Sequence, residues 1–139
     1  PVYSVIMPAN IAEKGANISV STLHYHQQRR ELDVHFSNGE LVTFTAEFLR
    51  VFSPSAEVRG HGKPTLVTNK KQVAISKLLP VGHYAVKLVF DDGHDSGIYS
   101  WVYLQHLAYE QDSLWQSYLQ QLAEANANRD SLIAVRIKH

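Results

Sequence analysis

The sequence predicts an α+β domain, in which a small antiparallel sheet built from hairpins packs against C-terminal helices. The first observation is a pair of turn sequences, because Ser37-Asn38-Gly39 and Asp91-Asp92-Gly93 each separate two apolar runs. Asn-Gly and Asp-Gly tolerate the positive φ that a tight hairpin turn needs. The second observation is a change of period at Ser100, after which apolar residues recur at helical spacing. Short strands followed by a long helical pattern are typical of this class.

Length, charge and residue usage predict one soluble, cytoplasmic domain spanning residues 1–139. The 13 basic and 13 acidic side chains balance, so we expect neither nucleic acid nor a membrane as a partner. The absence of cysteine excludes disulfides, thiolate nucleophiles and Cys-ligated metal sites built from this chain alone. No apolar run approaches the roughly 20 residues of a membrane span, and the first residues lack the basic region of a secretory signal.

The first part of the chain predicts four strands and a short helix. Val2 to Met7 is a short strand candidate, and residues 18–21 lead into residues 23–30 as a second strand with its exit loop. Residues 31–36 alternate apolar and polar side chains, which is the period of a half-buried strand, and residues 41–44 return as its partner. Thr45 then suits the N-cap of a helical turn, because its hydroxyl can accept a backbone N–H.

The second part of the chain predicts a short helix followed by three strands. Ser53 and Pro54 suit the N-cap and first position of another short helix, since the missing N–H of proline would be unpaired there. Residues 72–78 and 84–90 predict two further strands, and residues 97–99 return from the second hairpin.

The C-terminal part carries the helical pattern. Residues 101–122 hold an apolar stripe, interpreted as two helices with a bend near Glu110, because Asp112 suits a new N-cap. The last segment, residues 126–139, either is disordered or adds a strand through its apolar run. Residues 1–17 and 126–139 are therefore treated as extensions of the domain.

The two turn segments resemble each other. Residues 36–40 read Phe-Ser-Asn-Gly-Glu and residues 90–94 read Phe-Asp-Asp-Gly-His, which aligns Glu40 with His94. A strand and a helical pattern follow each segment. We therefore predict two related hairpin-then-helix units that pack together, although two copies are too few for a solenoid.

The polar residues that most suggest a functional site surround His94 on the second hairpin. Asp91, Asp92 and Asp95 flank this imidazole, and Tyr99 follows as a further candidate surface residue. One interpretation is a metal or polar-ligand site. The other is that the acidic residues form a solvated turn and that the imidazole hydrogen-bonds to the adjacent loop.

Glu57 and His61 are the residues that would complete a metal site with His94. Their spacing of four places both side chains on one side of a helical turn. Imidazole and carboxylate together suit divalent zinc, iron or manganese. The sequence leaves open both a divalent metal, zinc or iron, and the absence of any cofactor.

Two other groups have a functional and a structural interpretation. His24 and His26 share one face of a strand, where they form either a metal-binding pair or ordinary exposed histidines. Four aromatic residues at helical spacing either line a ligand groove or belong to the core: Trp101, Tyr103, Trp115 and Tyr118.

No catalytic motif is present, so we expect a protein that is not an enzyme. A non-haem Fe(II) oxygenase needs two His and one carboxylate, generally beginning with His-x-Asp/Glu. No His in this chain is followed two residues later by Asp or Glu. Residues 60–64, Gly-His-Gly-Lys-Pro, lack the spacing and the Lys-Ser/Thr ending of a phosphate-binding loop.

Two long motifs resemble a known family. Residues 49–62 read Leu-Arg-Val-Phe-Ser-Pro-Ser-Ala-Glu-Val-Arg-Gly-His-Gly, and residues 90–104 read Phe-Asp-Asp-Gly-His-Asp-Ser-Gly-Ile-Tyr-Ser-Trp-Val-Tyr-Leu. In these residues the chain is similar to the gamma-butyrobetaine hydroxylase-like N-terminal domain family, which includes bacterial domains of unknown function. The resemblance covers roughly residues 20–122.

The resemblance implies a place for a structural zinc. In the eukaryotic hydroxylases this domain precedes an Fe(II)/2-oxoglutarate oxygenase domain and holds zinc through three Cys and one His. His94 corresponds to that His, whereas approximately Ser53, Ser55 and Val58 stand at the Cys positions. Hydroxyls and an aliphatic side chain do not replace thiolates as zinc ligands.

The resemblance also implies an accessory role. Similar bacterial domains occur alone, and related ones are fused to Mrp-type P-loop ATPases implicated in iron–sulfur cluster assembly. We therefore expect a non-catalytic accessory or interaction domain with a protein partner, linked to metalloprotein or iron–sulfur maturation. The alternatives are a metal-binding module and a partner subunit of an Fe(II)/2-oxoglutarate oxygenase.

Overall fold

A computed structural model describes residues 2–6, 18–54 and 66–129, with side chains for the latter two ranges. These ranges contain two antiparallel sheets and two helices, which confirms the α+β class. The strands divide between two sheets instead of forming one. The first sheet has the strand order β1 (Val2–Ile6), β2 (Val20–His26), β3 (Glu31–Phe36) and β4 (Leu41–Thr45), and helix α1 (Ala46–Val51) follows β4. The second sheet has the order β5 (Ile75–Val81), β6 (Ala85–Phe90) and β7 (Gly97–Ser100), and helix α2 (Trp101–Glu124) follows β7.

The core lies between the inner faces of the two sheets and the helices. Because strand side chains alternate between faces, every second residue of β3 and β6 is buried. Leu104 and Leu107 of α2 join the same buried cluster. Tyr25 of the first sheet is fully buried, and its hydroxyl accepts a hydrogen bond of 3.0 Å from the backbone N–H of Ile75. A polar contact therefore ties the two sheets together inside the apolar core.

The predicted repeat is present in the backbone hydrogen bonds of both hairpins. In the first turn, Phe36 N donates to Glu40 O at 2.9 Å and Gly39 N donates to Phe36 O at 3.0 Å. In the second turn, Phe90 N donates to His94 O at 2.9 Å and Gly93 N donates to Phe90 O at 3.2 Å. We call β2–β4 with α1 the first repeat, and β5–β7 with α2 the second repeat.

The same correspondence extends to the strand bulges. The register shifts between Val20 and Thr22 in one repeat and between Ile75 and Lys77 in the other. The residue inside each shift is a serine: Ser21 Oγ donates to His35 O at 3.1 Å, and Ser76 Oγ donates to Val89 O at 3.1 Å. Each bulge is therefore held by the same side-chain contact.

Helix α1 begins at the predicted N-cap Thr45, and α2 begins after Ser100, where the helical pattern was predicted to start. Thr45 Oγ1 accepts from Phe48 N at 3.0 Å, and Ser100 Oγ accepts from Tyr103 N at 3.0 Å. These bonds satisfy backbone donors that have no partner within the helix. The helix-start signals in the sequence were therefore sufficient to place α1 and α2.

The predicted bend near Glu110 is wrong, because α2 is one continuous helix over Trp101–Glu124. Asp112 is an exposed residue within it. No Gly or Pro interrupts this segment, and the apolar stripe continues through Leu107, Tyr118 and Leu122, which are buried. Within the described ranges, neither helix combines the length and apolarity needed to cross a membrane.

Other boundaries differ by a few residues. The strand predicted over 72–78 is β5, which begins later and extends through Pro80, a residue tolerated on an edge strand. The N-terminal strand is present as β1. The helix predicted to begin at Ser53 and most of the C-terminal tail lie outside the described residues.

The two turn glycines provide a test of the repeat. Gly39 has φ +98 and Gly93 has φ +94, a region that side chains with a Cβ rarely adopt. We expect Gly39→Ala and Gly93→Ala each to lower the free energy of unfolding by about 1–2 kcal/mol. Urea melts of both variants measure this effect. An unchanged midpoint for either variant would contradict the turn conformation described here.

Candidate functional site

The candidate site lies where the end of α1 meets the turn between β6 and β7. Ser53, just beyond α1, is 1% exposed, and His94, just beyond the turn, is 8% exposed. Ser53 Oγ and His94 Nε2 are 2.9 Å apart, a hydrogen bond whose donor depends on the imidazole tautomer. The structure thus brings together the Ser-Pro loop and the second hairpin. It joins them through a hydroxyl–imidazole pair.

Gly97 allows this approach, because it has no side chain facing the serine. A Cβ at Gly97 would lie 2.5 Å from Ser53 Oγ and 3.0 Å from the ring of Tyr99. Distances this short require a neighbour to move. The glycine at the start of β7 is therefore required by the close packing of Ser53.

Tyr99 is a buried residue, so its prediction as a surface residue is wrong. It alternates with outward-facing neighbours on β7, which turns its ring into the core. Its hydroxyl donates to Leu49 O at 2.5 Å. Burial raises the pKa of Tyr99 well above its ordinary value, and a hydrogen bond with Ser53 only partly opposes this effect. The phenol is therefore a neutral structural donor.

Asp92 is held by two cations. Its Oδ2 lies 2.8 Å from Arg50 Nε and 2.6 Å from Lys70 Nζ, and its Oδ1 accepts from His94 N at 3.1 Å. Partial burial alone would raise the pKa of Asp92, but the Lys70 ammonium, the His94 N–H and the Arg50 guanidinium outweigh it and lower the pKa to about 2. This carboxylate serves to bind α1 and the residues before β5 to the turn.

The two other aspartates of the turn have different surroundings. Asp91 Oδ1 accepts a hydrogen bond from Ala74 N at 3.0 Å, which fixes the entrance to β5. Asp95 is exposed. The side chains of Asp91, Asp92 and Asp95 therefore do not converge on the imidazole of His94 as a ligand set.

The described residues do not fit the structural zinc that the family resemblance implies. Ser53 presents a neutral hydroxyl to His94, and that hydroxyl is already hydrogen-bonded to the imidazole nitrogen. Among residues 18–54 and 66–129, no three His, Cys, Asp or Glu side chains form a group that would hold a metal. Glu57, His61, Ser55 and Val58 lie outside the described residues, so their contribution stays a prediction.

His24 and His26 form part of a different polar network, on the outer face of the first sheet. Their rings stack with centroids 5.1 Å apart, and His26 Nε2 lies 2.9 Å from Asp33 Oδ2. Asp33 also accepts from Thr43 Oγ1 at 2.7 Å. Partial burial would raise the pKa of Asp33, but these hydrogen bonds outweigh it and lower that pKa. The network links three neighbouring strands.

The four aromatic residues of α2 singled out in the sequence pack in or against the buried clusters, and three of them donate to backbone carbonyls. Trp101 and Tyr118 are buried, whereas Tyr103 and Trp115 are half-buried. The donor contacts run from Trp101 Nε1 to His83 O at 2.8 Å, from Tyr103 Oη to Phe52 O at 2.6 Å, and from Tyr118 Oη to Val67 O at 2.7 Å. Burial, with a smaller effect of Glu47, raises the pKa of Tyr118 to about 12.

A Ser–His pair also suggests nucleophilic catalysis, but this one is enclosed. A catalytic serine must reach the substrate, and Ser53 is almost completely buried. Its hydroxyl sits between the His94 imidazole, Gly97 and Tyr99. The geometry is that of a structural hydrogen bond that fills a close-packed junction.

The fold and this junction define a small α+β domain made of two hairpin-then-helix repeats. A family model described as gamma-butyrobetaine hydroxylase-like, N-terminal, matches residues 23–105. The chain therefore belongs to that family, and the resemblance stated from its two motifs is confirmed.

Solved structures show the same fold. One solution NMR structure is 50% identical with a TM-score of 0.74, and the alignment covers 91% of this chain and 96% of that one. A second is 44% identical with a TM-score of 0.67, covering 82% and 90%. A crystal structure of a DUF971-family protein of unknown function from Acidithiobacillus ferrooxidans is 36% identical with a TM-score of 0.56, covering 65% and 92%. A comparison with curated proteins gave no match.

Sequence reasoning missed the partners of the candidate residues. Arg50 and Lys70 are distant from Asp92 in the chain, and no local pattern connects them. The contact of Ser53 with His94 was implied only by the family positions. Gly97 carried a usable signal, because a glycine that opens a strand often marks a close approach.

The close contact between Ser53 and Gly97 predicts that mutations of these two residues have non-additive effects on the free energy of unfolding. Ser53→Ala removes a buried hydrogen bond and should cost about 1–3 kcal/mol of unfolding free energy. Gly97→Ala should cost a similar amount, about 1–3 kcal/mol, through overpacking against Ser53 Oγ. The double variant should lose less than the sum, because Ser53→Ala removes the atom that clashes. Additive losses in denaturant melts would contradict the close contact.

Asp92 predicts a specific acid sensitivity. Because its folded pKa of about 2 lies below the ordinary 3.8, its ion pairs stabilise the protein above about pH 4, and this contribution is lost as the pH falls towards 2. We expect Asp92→Asn to cost roughly 1 kcal/mol at pH 7, after allowance for solvent screening. Urea melts should show that this difference shrinks at pH 2.5. A difference independent of pH would contradict the assignment.

Proposed function

We propose that this protein is a non-catalytic accessory domain that acts by binding a protein partner in the maturation of metalloproteins, including iron–sulfur proteins. The observation that carries the proposal is the closed Ser53–His94 junction. The most reactive pairing among the described side chains is buried and used for packing. The surface of the protein is then the part available for function.

Family membership supports this proposal. The family is named for a domain that accompanies an oxygenase domain in the hydroxylases, and the crystal structure from Acidithiobacillus ferrooxidans has no known function. The resemblance to domains fused to P-loop ATPases of iron–sulfur assembly supports a role beside metalloprotein maturation. An Fe(II)/2-oxoglutarate oxygenase is the alternative class of partner.

A second candidate function is a metal-binding module that uses His94 with Glu57 and His61. One observation favours it: Ser53 contacts His94 directly, so the chain continues from beside the imidazole into the segment that contains both residues. Rotation of Ser53 would release Nε2 as a ligand. Zinc or iron are the ions that imidazole and carboxylate suit.

Metal content distinguishes the two candidates. We expect protein purified without a polyhistidine tag, and then incubated with zinc or with ferrous iron, to hold no stoichiometric ion in elemental analysis. We also expect chelator treatment to leave its melting temperature unchanged, because the hydroxyl of Ser53 already hydrogen-bonds to Nε2 of His94. A stoichiometric ion that is lost in both His94→Ala and Glu57→Gln would establish the module instead. Ser53→Ala is the matched control, since it disturbs the same junction without removing a ligand.

Partner capture tests the accessory role. Tagged full-length protein, crosslinked in the source cells and purified, should enrich metal-cofactor enzymes or their assembly factors over an unrelated tagged domain of similar size. Enrichment of an oxygenase would instead select the alternative partner class. Recovery of the protein without any crosslinked partner would contradict the proposed function.

A further inference from the structure

The outer face of the second sheet carries exposed aliphatic side chains. Five outward-facing residues define what we call the aliphatic face: Lys77, Leu79, Lys87, Val89 and Ile98. Leu79, Lys87 and Ile98 are paired across the three strands in one row. Leu79 is 42% exposed and Ile98 is 46% exposed. Neighbouring strands lie about 4.8 Å apart, so the row spans about 10 Å.

The first repeat shows that the fold does not require apolar residues at these positions. The row that corresponds to Leu79, Lys87 and Ile98 is occupied by polar side chains throughout. The registers of the two sheets match Lys77, Leu79, Lys87, Val89 and Ile98 with Thr22, His24, Asp33, His35 and Thr43. Since the same backbone accepts His, Asp and Thr there, the aliphatic residues of the second sheet need an explanation other than folding.

The charges of the aliphatic face have one sign. Lys77 and Lys87 form no ion pair within the described part of the chain, in contrast to Lys70, which is bonded to Asp92. The three strands β5, β6 and β7 contain no acidic residue. In the first sheet the position of Lys87 is held by Asp33, which is hydrogen-bonded to its neighbours. The aliphatic face therefore presents two lysines, and these strands contain no acidic side chain that could pair with them.

We propose that the aliphatic face is a docking surface for an amphipathic helix with aliphatic residues on one side and acidic residues along its borders. The inference rests on the proposed function and names the surface and the chemistry of the partner. An open sheet face is the surface on which a helix packs, and an α-helix about 10 Å wide matches the row of Leu79, Lys87 and Ile98. Lys77 and Lys87 then pair with the border carboxylates.

The test uses the full chain with isotope-labelled methyl groups and a defined probe. The probe is a synthetic helical peptide with a leucine stripe bordered by Glu; the control peptide has Lys in place of every Glu. We expect the acidic peptide to shift the methyl signals of Leu79, Val89 and Ile98, and to bind at least tenfold more tightly than the basic peptide.

Matched variants distinguish specific binding at the aliphatic face from non-specific hydrophobic binding. Ile98→Thr installs the residue type found at the equivalent Thr43, and it should weaken binding at least tenfold while leaving the melting temperature nearly unchanged. Leu41→Thr is the control, because Leu41 is 55% exposed on the outer face of the first sheet and should not affect binding. The Lys77→Glu/Lys87→Glu double variant should reverse the preference, so that the basic peptide binds more tightly.

Four outcomes would overturn the proposal. They are equal binding of both peptides, methyl shifts confined to another surface, concentration-dependent shifts of Ile98 without peptide, and contacts between Ile98 and residues 130–139 in the free protein. The third would assign the aliphatic face to a second copy, and the fourth to the chain itself. If Ile98→Thr leaves the cellular partner bound, the inference fails while the proposed function stands; if no partner is captured, the proposed function fails independently.

Discussion

The structure depends on the hydrogen bond between Ser53 and His94, because it closes the contact between the two repeats. Both groups are buried, so each loses water on folding and must be compensated by the other. The packing around them leaves no room for a side chain at Gly97. A single hydroxyl–imidazole contact thereby fixes the distance between the end of α1 and the second hairpin.

Several hydrogen bonds near the Ser53–His94 contact also join the second repeat to the helix of the first repeat. The hydroxyls of Tyr99 and Tyr103 donate to the carbonyls of Leu49 and Phe52, at the C-terminal end of α1. These carbonyls have no partner within the short helix, so the tyrosines act as its C-terminal cap. Arg50 of the same helix pairs with Asp92. A six-residue helix that would not be stable alone is held by the second hairpin.

The two repeats share a backbone plan and differ in their surfaces. At the equivalent turn positions, Glu40 is exposed, whereas His94 is buried against Ser53. On the outer faces, the first sheet carries the polar network of His26, Asp33 and Thr43, and the second sheet carries the aliphatic face. Because the fold accepts either composition, folding alone does not account for the aliphatic residues of the second sheet.

The sequence by itself determined the local elements and the family. Turn glycines, N-cap hydroxyls at Thr45 and Ser100 and the helical apolar stripe each act within a few residues, so their signals are visible in a single chain. The similarity of residues 36–40 to residues 90–94 also revealed the repeat. The predictions that Tyr99 is exposed and that α2 bends near Glu110 were wrong, because the burial of a residue depends on segments that are far away in the sequence.

Only the tertiary structure decided what His94 and Asp92 do. The sequence showed an imidazole among carboxylates, which is compatible with a metal site. Three-dimensional packing placed Ser53 against the imidazole and two cations against Asp92, from segments separated along the chain by tens of residues. Hydrogen bonds and ion pairs form between atoms that are close in space, and the order of residues does not encode those distances locally.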